Sequence, residues 1–179
     1  PQGPGGLYVR EGIHINPIIQ GGTGSFSEQT TQPSVFPDVL ESGTLNVPGI
    51  VGLGEGVSYI LKTGIENIYF KKRQLLDRLI SATINDDRIS VYSPPTEHNS
   101  GILALSVRNM DSSEAGYLLN KRYGICIRSG LHCAPLAHRA LGTQDKGLIR
   151  ISPGYFNKKG EIDMAVKALK SLASIRQKQ

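Results

Sequence analysis

The pattern of apolar residues changes character at Pro48, and this break limits the possible folds more than any other feature of the chain. Before it, residues 1–46 are punctuated by glycine and proline and offer only short apolar runs, Leu7-Tyr8-Val9 and Ile18-Ile19. Breakers at that density interrupt helices and strands alike, so few long elements are expected there. Such a stretch buries too little to offset the entropy of ordering itself, and it is expected to lie on another part of a protein or on a partner subunit. After the break, Ile50, Leu53, Val57, Ile60 and Leu61 recur at three- and four-residue spacing, which predicts one helical face over about residues 48–62.

Thr63-Gly64-Ile65-Glu66 has the spacing of a capping box, so a second helix is expected to start there, with Ile65, Ile68, Tyr69, Leu75, Leu76, Leu79 and Ile80 on its apolar side. Two strands follow, Arg88 to Tyr92 and Ile102 to Val107, separated by Pro94-Pro95 and Asn99-Ser100-Gly101. Asp111 and Glu114 repeat the capping spacing, and Gly124 offers a left-handed stop, which predicts a third helix between them. Ile125-Cys126-Ile127 reads as a short strand, Pro135 to Leu141 as a short helix, Leu148 to Ile151 as a strand, and Asn157 as the cap of a last helix faced by Ile162, Ala165, Val166, Leu169 and Leu172. Residues 88–175 therefore run β-β-α-β-α-β-α, an α+β layer of helices on a small sheet.

Charge excludes more than it identifies. The excess of 20 Lys+Arg over 15 Asp+Glu is scattered over Lys71-Lys72-Arg73, Lys121-Arg122, Lys158-Lys159 and the tail Arg176-Gln177-Lys178-Gln179, and only 6% of residues are aromatic, so no nucleic-acid footprint is read. No apolar run reaches the roughly 20 residues that span a bilayer, and no leader pattern is visible, so no membrane association is expected. Two cysteines, Cys126 and Cys133, form no disulfide framework, which fits a reducing cytoplasm. The chain opens without an initiator methionine and runs straight into a strand-like stretch, an opening that reads as cut.

The chemistry concentrates at Arg128-Ser129-Gly130-Leu131-His132-Cys133-Ala134-Pro135-Leu136, where a thiol is expected on a turn between a strand and a helix N-terminus. Neighbouring cations and helix N-termini lower a thiol from its usual pKa of about 8.5 and so populate the nucleophilic thiolate; Arg128 and His132 are the candidate cations. A buried structural role for Cys133 is the plain alternative. Cys126, between two isoleucines, reads as packing on a core strand, and Cys126, His132, Cys133 and His138 lack the paired spacing of a metal site. In Leu148-Ile149-Arg150-Ile151-Ser152, alternation sets Arg150 on the face opposite the isoleucines, where a guanidinium inside so apolar a strand needs a partner such as a carboxylate. The glycine-flanked Thr44 and the segment Gly21-Gly22-Thr23-Gly24-Ser25 are either turns or anion concavities.

Taken together, the opening Pro1-Gln2-Gly3-Pro4-Gly5-Gly6-Leu7-Tyr8-Val9, the Gly21 to Ser25 segment, Leu40-Glu41-Ser42-Gly43-Thr44-Leu45-Asn46, Gly49-Ile50-Val51-Gly52-Leu53, the Cys133 loop and Leu148 through Asn157 resemble the fold-type I, class V pyridoxal-phosphate enzymes, specifically the cysteine desulfurase and selenocysteine lyase family. The resemblance implies that residues 1–62 are the loop-rich end of a large cofactor-binding domain with its interdomain helix, and that residues 63–179 are the C-terminal small α+β domain carrying the nucleophile loop. It implies a chain that begins just after the cofactor lysine and is inactive alone. It further implies removal of sulfur from L-cysteine or a related amino acid, with Cys133 taking the sulfur as a persulfide and alanine released. Arg150 would bind the substrate carboxylate with Arg128 and His132 nearby, and Thr44 would reach the cofactor phosphate across a homodimer interface; a sulfur-acceptor protein is an implied partner. Two departures from better-known members stand out: Ala134 meets Pro135 with no residue between, and Leu131 stands where a second histidine is common. Alternative readings are a class V aminotransferase or carbon-sulfur lyase with Cys133 a bystander, and a non-catalytic dimerisation or binding module.

Overall fold

The computed structural model of the chain describes residues 2–175, so Pro1 and the basic tail Arg176-Gln177-Lys178-Gln179 lie outside the described residues. The chain divides into two compact units, Pro1–Thr63 and Gly64–Gln179. In the first, loops predominate as their glycines and prolines dictate, with one 3-10 turn at Asp38–Leu40 before helix α1, Val47–Thr63. Asn46 starts that helix, its Oδ1 accepting from Gly49 N and its carbonyl from Ile50 N. The loops are tied by Gln32, which accepts from Gly21 N and donates to the carbonyls of Asp38 and Glu41. The apolar face of α1, Ile50, Leu53, Val57, Ile60 and Leu61, is exposed.

The second unit begins with helix α2, Ile65–Thr83, and continues through β1 Ile89–Val91, β2 Leu103–Val107, α3 Ser112–Tyr123, β3 Arg128–Gly130, α4 Pro135–Ala140, β4 Leu148–Ile151 and α5 Lys159–Ala173. The strands form one antiparallel sheet in the order β1-β2-β4-β3, an α+β arrangement. Burial in β2 alternates along Leu103 to Val107, with the leucines and valine facing α2, α3 and α5. Leu76, Leu79, Leu103, Leu105, Leu119, Ile149, Leu169 and Leu172 are at most 1% exposed and form the heart of this core. Each such side chain contributes on the order of 1.5–3 kcal/mol by leaving water. No helix of the described residues is long and apolar enough to cross a membrane.

The ends of α3 follow the expected chemistry: Asp111 Oδ1 accepts from Ser113 N and Glu114 N, and Gly124 turns left-handed at φ 64°. Three expectations are corrected. Thr63 does not cap α2, because α1 runs on through it and Gly64, at φ 85°, makes the break by virtue of having no Cβ. Asn157 is not the cap of α5; its side chain closes a loop with Gly154 N and donates to Glu161, which accepts from the backbone of Lys158, the residue that holds the cap position. The third strand is not Ile125-Cys126-Ile127 but Arg128–Gly130, since the isoleucines rest on the rim of the core while the ladder to β4 begins only at Arg128.

Candidate active site

The site is built on the sheet face away from the helices. Ile149 and Ile151 of β4 fill the core, so Arg150 points the other way, and the register sets it directly opposite Arg128 on β3 and Ala104 on β2. Two cations facing each other across an antiparallel ladder repel. Among the described residues neither has an ion-pair partner, and Nε of Arg150 is buried with no hydrogen bond. A dry, unpaired guanidinium nitrogen next to a second arginine is costly for the fold and is suited to an incoming anion.

From Gly130 the chain leaves β3 and enters a tight turn in which Ala134 N donates to Leu131 O at 2.9 Å, with His132 and Cys133 in its centre at φ 52° and φ 57°. Positive φ at both central positions is the geometry that Asn-Gly pairs favour; imposing it on residues with full side chains costs on the order of 1–3 kcal/mol each. Strain of this size at a nucleophile candidate indicates a conformation held for a purpose. The turn leaves the Cys133 side exposed and leads through Ala134 into α4, so the thiol sits just before a helix start as its sequence context predicts.

The leading edge of the turn is anchored through Ser112, whose Oγ accepts from Gly130 N and donates to Lys146 O. Gly147, at φ 60°, allows this close approach, since a Cβ there would stand 2.8 Å from Gly130 Cα and 2.6 Å from Ser112 Oγ. Behind the turn, His132 hydrogen-bonds to the Arg128 backbone and its Nε2 is buried without a partner. Burial pushes its pKa below the ordinary value of 6.5, and the positive neighbours Arg150, His138 and Arg128 act in the same sense, outweighing the hydrogen bond. The direction of that shift favours the neutral imidazole and works against the expected role of His132 as a cation beside the thiol.

The structure thus brings Arg128, Arg150, His132 and Cys133 into one unit, on β3, β4 and the turn between β3 and α4. Thr44 belongs to the other unit, where it is exposed; Gly43 N donates to Gly22 O at 2.8 Å, which joins the Thr44 segment to the Gly21–Ser25 loop. Cys126 is exposed and accepts from Asn120 Nδ2, so its assignment to core packing is corrected: its flanking isoleucines turn inward and it does not. Among the described residues no three His, Cys, Asp or Glu side chains are grouped to hold a metal. Nothing in the local sequence marks Ala104, Ser112 and Gly147 as parts of the site, because their roles depend on how the strands are brought together.

Fold and site together define a class: the chain belongs to the class-V aminotransferase family, whose model, aminotransferase class-V, matches residues 1–164. Among curated relatives it is 32% identical over 180 residues to a probable cysteine desulfurase of Methanothermobacter thermautotrophicus, covering 98% of this chain and 45% of that protein. It is 29% identical to a cysteine desulfurase of Wigglesworthia glossinidia brevipalpis, with 94% and 41% covered. Among solved structures, the cysteine desulfurase CsdA of Escherichia coli, in an S-sulfonic acid form, superposes with a TM-score of 0.73 at 28% identity over 87% of this chain and 38% of its own. A NifS-like protein gives 0.72 at 28% identity over 93% and 41%. The chain spans under half the length of these relatives.

Proposed function

We propose that this protein takes part in a pyridoxal-phosphate-dependent cysteine desulfurase reaction in which Cys133 receives the sulfur. The observation that carries the reading is the Arg128–Arg150 pair, facing each other without an ion-pair partner among the described residues, with the strained and exposed Cys133 turn following directly on the strand that carries Arg128. Arg150, aided by Arg128, binds the carboxylate of L-cysteine or a related amino acid through charge-assisted hydrogen bonds from its guanidinium. His132, whose shift favours the neutral form, adds little positive charge next to the thiol.

The Thr44 hydroxyl and the glycine-rich loop joined to it suit the phosphate of the cofactor, which supports Thr44 as the residue that reaches it in a homodimer. When bound, the cofactor supplies an electron sink that weakens the carbon-sulfur bond of the substrate. The Cys133 thiolate forms a sulfur-sulfur bond as that bond breaks, the electron pair passes to carbon, and carbon takes a proton. The products are alanine and a persulfide on Cys133, which a sulfur-acceptor protein collects. In this reading residues 1–62 serve the cofactor-binding domain, residues 63–179 form the small domain, and the reaction takes place in the cytoplasm, where thiols stay reduced.

The test is alanine and sulfide release from L-cysteine by the full-length gene product, compared with its Cys133→Ala variant. Loss of at least 100-fold is expected of the variant, in the range seen when an essential nucleophile is removed. Undiminished turnover removes Cys133 from the mechanism, and pyruvate with ammonia in place of alanine marks a lyase.

A further inference from the structure

Only 4% of His138 is exposed, a degree of burial unusual for a titratable side chain, and the proposed reaction does not use it. It lies on α4, where its backbone N–H donates to Ala134 O, the residue that closes the Cys133 turn. Its Nδ1 is hydrogen-bonded to Thr143 Oγ1 at 2.8 Å, and Thr143 N donates back to His138 O at 2.9 Å, so the ring is fixed from the far side. Its near side meets the ring of His132, with centroids 5.9 Å apart and planes inclined at 35°. His132 is the first of the two residues held at positive φ, and Cys133 is the second.

These contacts form a continuous path from a locked side chain to the strained turn. The turn is short and exposed at Cys133, and its one internal hydrogen bond does not prevent His132 and Cys133 from relaxing to negative φ. What opposes relaxation is the packing of the half-buried His132 ring, whose Nε2 is shut off from solvent, and His138 forms part of the surface it packs against. We propose that His138 is a positioning residue for Cys133, backing His132 so that the nucleophile turn stays left-handed and the thiol stays aimed. The inference rests on the desulfurase reading for its kinetic consequence, though not for its structural one.

Arg150 stands on β4, held by ladders to β2 and β3, so substrate binding does not pass through His138. In the full-length protein, His138→Ala is therefore expected to lower kcat for alanine release about tenfold or more, as expected when a reacting group is misplaced by a fraction of an ångström to an ångström, while KM for cysteine stays within about twofold. Hydrogen exchange is expected to quicken about tenfold in residues 130–138 and to stay unchanged in β4 and α5, marking a local loosening. His138→Asn, whose amide stands in for Nδ1 toward Thr143, is expected to recover part of both effects. Thr143→Val, which keeps the imidazole but removes its anchor, is expected to show both in weaker form and decides the matter if His138→Ala does not fold.

Unchanged exchange in residues 130–138, an unchanged kcat, or exchange that rises equally in β4 and α5 overturns the inference. A wild-type protein whose turnover ignores Cys133→Ala instead sinks the desulfurase reading, and exchange alone then decides whether His138 holds the turn.

Discussion

Replacing Arg150 with methionine is expected to stabilise the ligand-free protein while weakening its hold on substrate. The guanidinium lies opposite Arg128, and its Nε is buried and unpaired. Leaving one such donor unsatisfied costs about 1–3 kcal/mol, and like charges facing across a ladder add about 0.2–1 kcal/mol. Methionine keeps the apolar stem that fills the space beside Ala104 and removes both penalties. Because Arg150 is only half-buried, the lower part of that range applies, a gain of about 1–2 kcal/mol and a Tm about 2–8 °C higher at 2–4 °C per kcal/mol. The same substitution removes a charge-assisted contact to the carboxylate, worth about 1.5–3 kcal/mol, so KM for cysteine rises about 10- to 100-fold. Thermal unfolding without substrate and initial rates across a cysteine range measure the two halves. A variant that melts lower than wild type refutes the argument, because Arg150 would then be making structural contacts that the unpaired Nε denies.

Three further outcomes are expected. Gly147→Ala puts a Cβ 2.6–2.9 Å from Ser112 Oγ and the Gly130 backbone at a left-handed φ of 60°, so denaturant unfolding should show a loss of about 3 kcal/mol or more, with β3 the first element to lose exchange protection. His132 has its pKa depressed by burial, so the unfolded chain binds the proton first as the pH falls below 6.5: stability is full above that value, declines below it and levels off once the folded pKa has been passed, a dependence that His132→Gln should flatten, with NMR titration placing the ring below 6.5. Thr44→Ala, if Thr44 holds the cofactor phosphate, removes one hydrogen bond to a charged group and should weaken cofactor retention about 10- to 100-fold, read by absorbance after dialysis.

The buried faces of α5 and of the second half of α2 were legible because burial there follows spacing, whereas the equally periodic face of α1 is exposed; α3 was legible at both ends because Asp111 and Gly124 act through local bonds. Thr63 and Asn157 misled because capping patterns are local: Thr63 is taken up by the end of α1, and the Asn157 oxygen is taken by Gly154 N in the loop before α5. Ile125-Cys126-Ile127 alternates like a strand and is still only the rim of one, since a ladder needs a partner and β4 offers none before Arg128. The site residues Cys133, Arg128, Arg150 and His132 could be singled out by type and context, whereas the apposition of the two arginines could not, because register between β3 and β4 is set across the turn and α4 that separate them. Left-handed backbone at His132 and Cys133 had no glycine or asparagine to announce it, and the burial of His138 follows from Thr143 and His132 closing around it.

Because β3 is an edge strand and joins the sheet through β4 alone, residues can be gained or lost between Gly130 and Pro135 without breaking a strand pairing. On the proposed reading, the reach of the Cys133 thiol can change there while Arg150, on the inner strand β4, keeps its place. The direct junction of Ala134 with Pro135 is then one setting of an adjustable arm on a rigid frame.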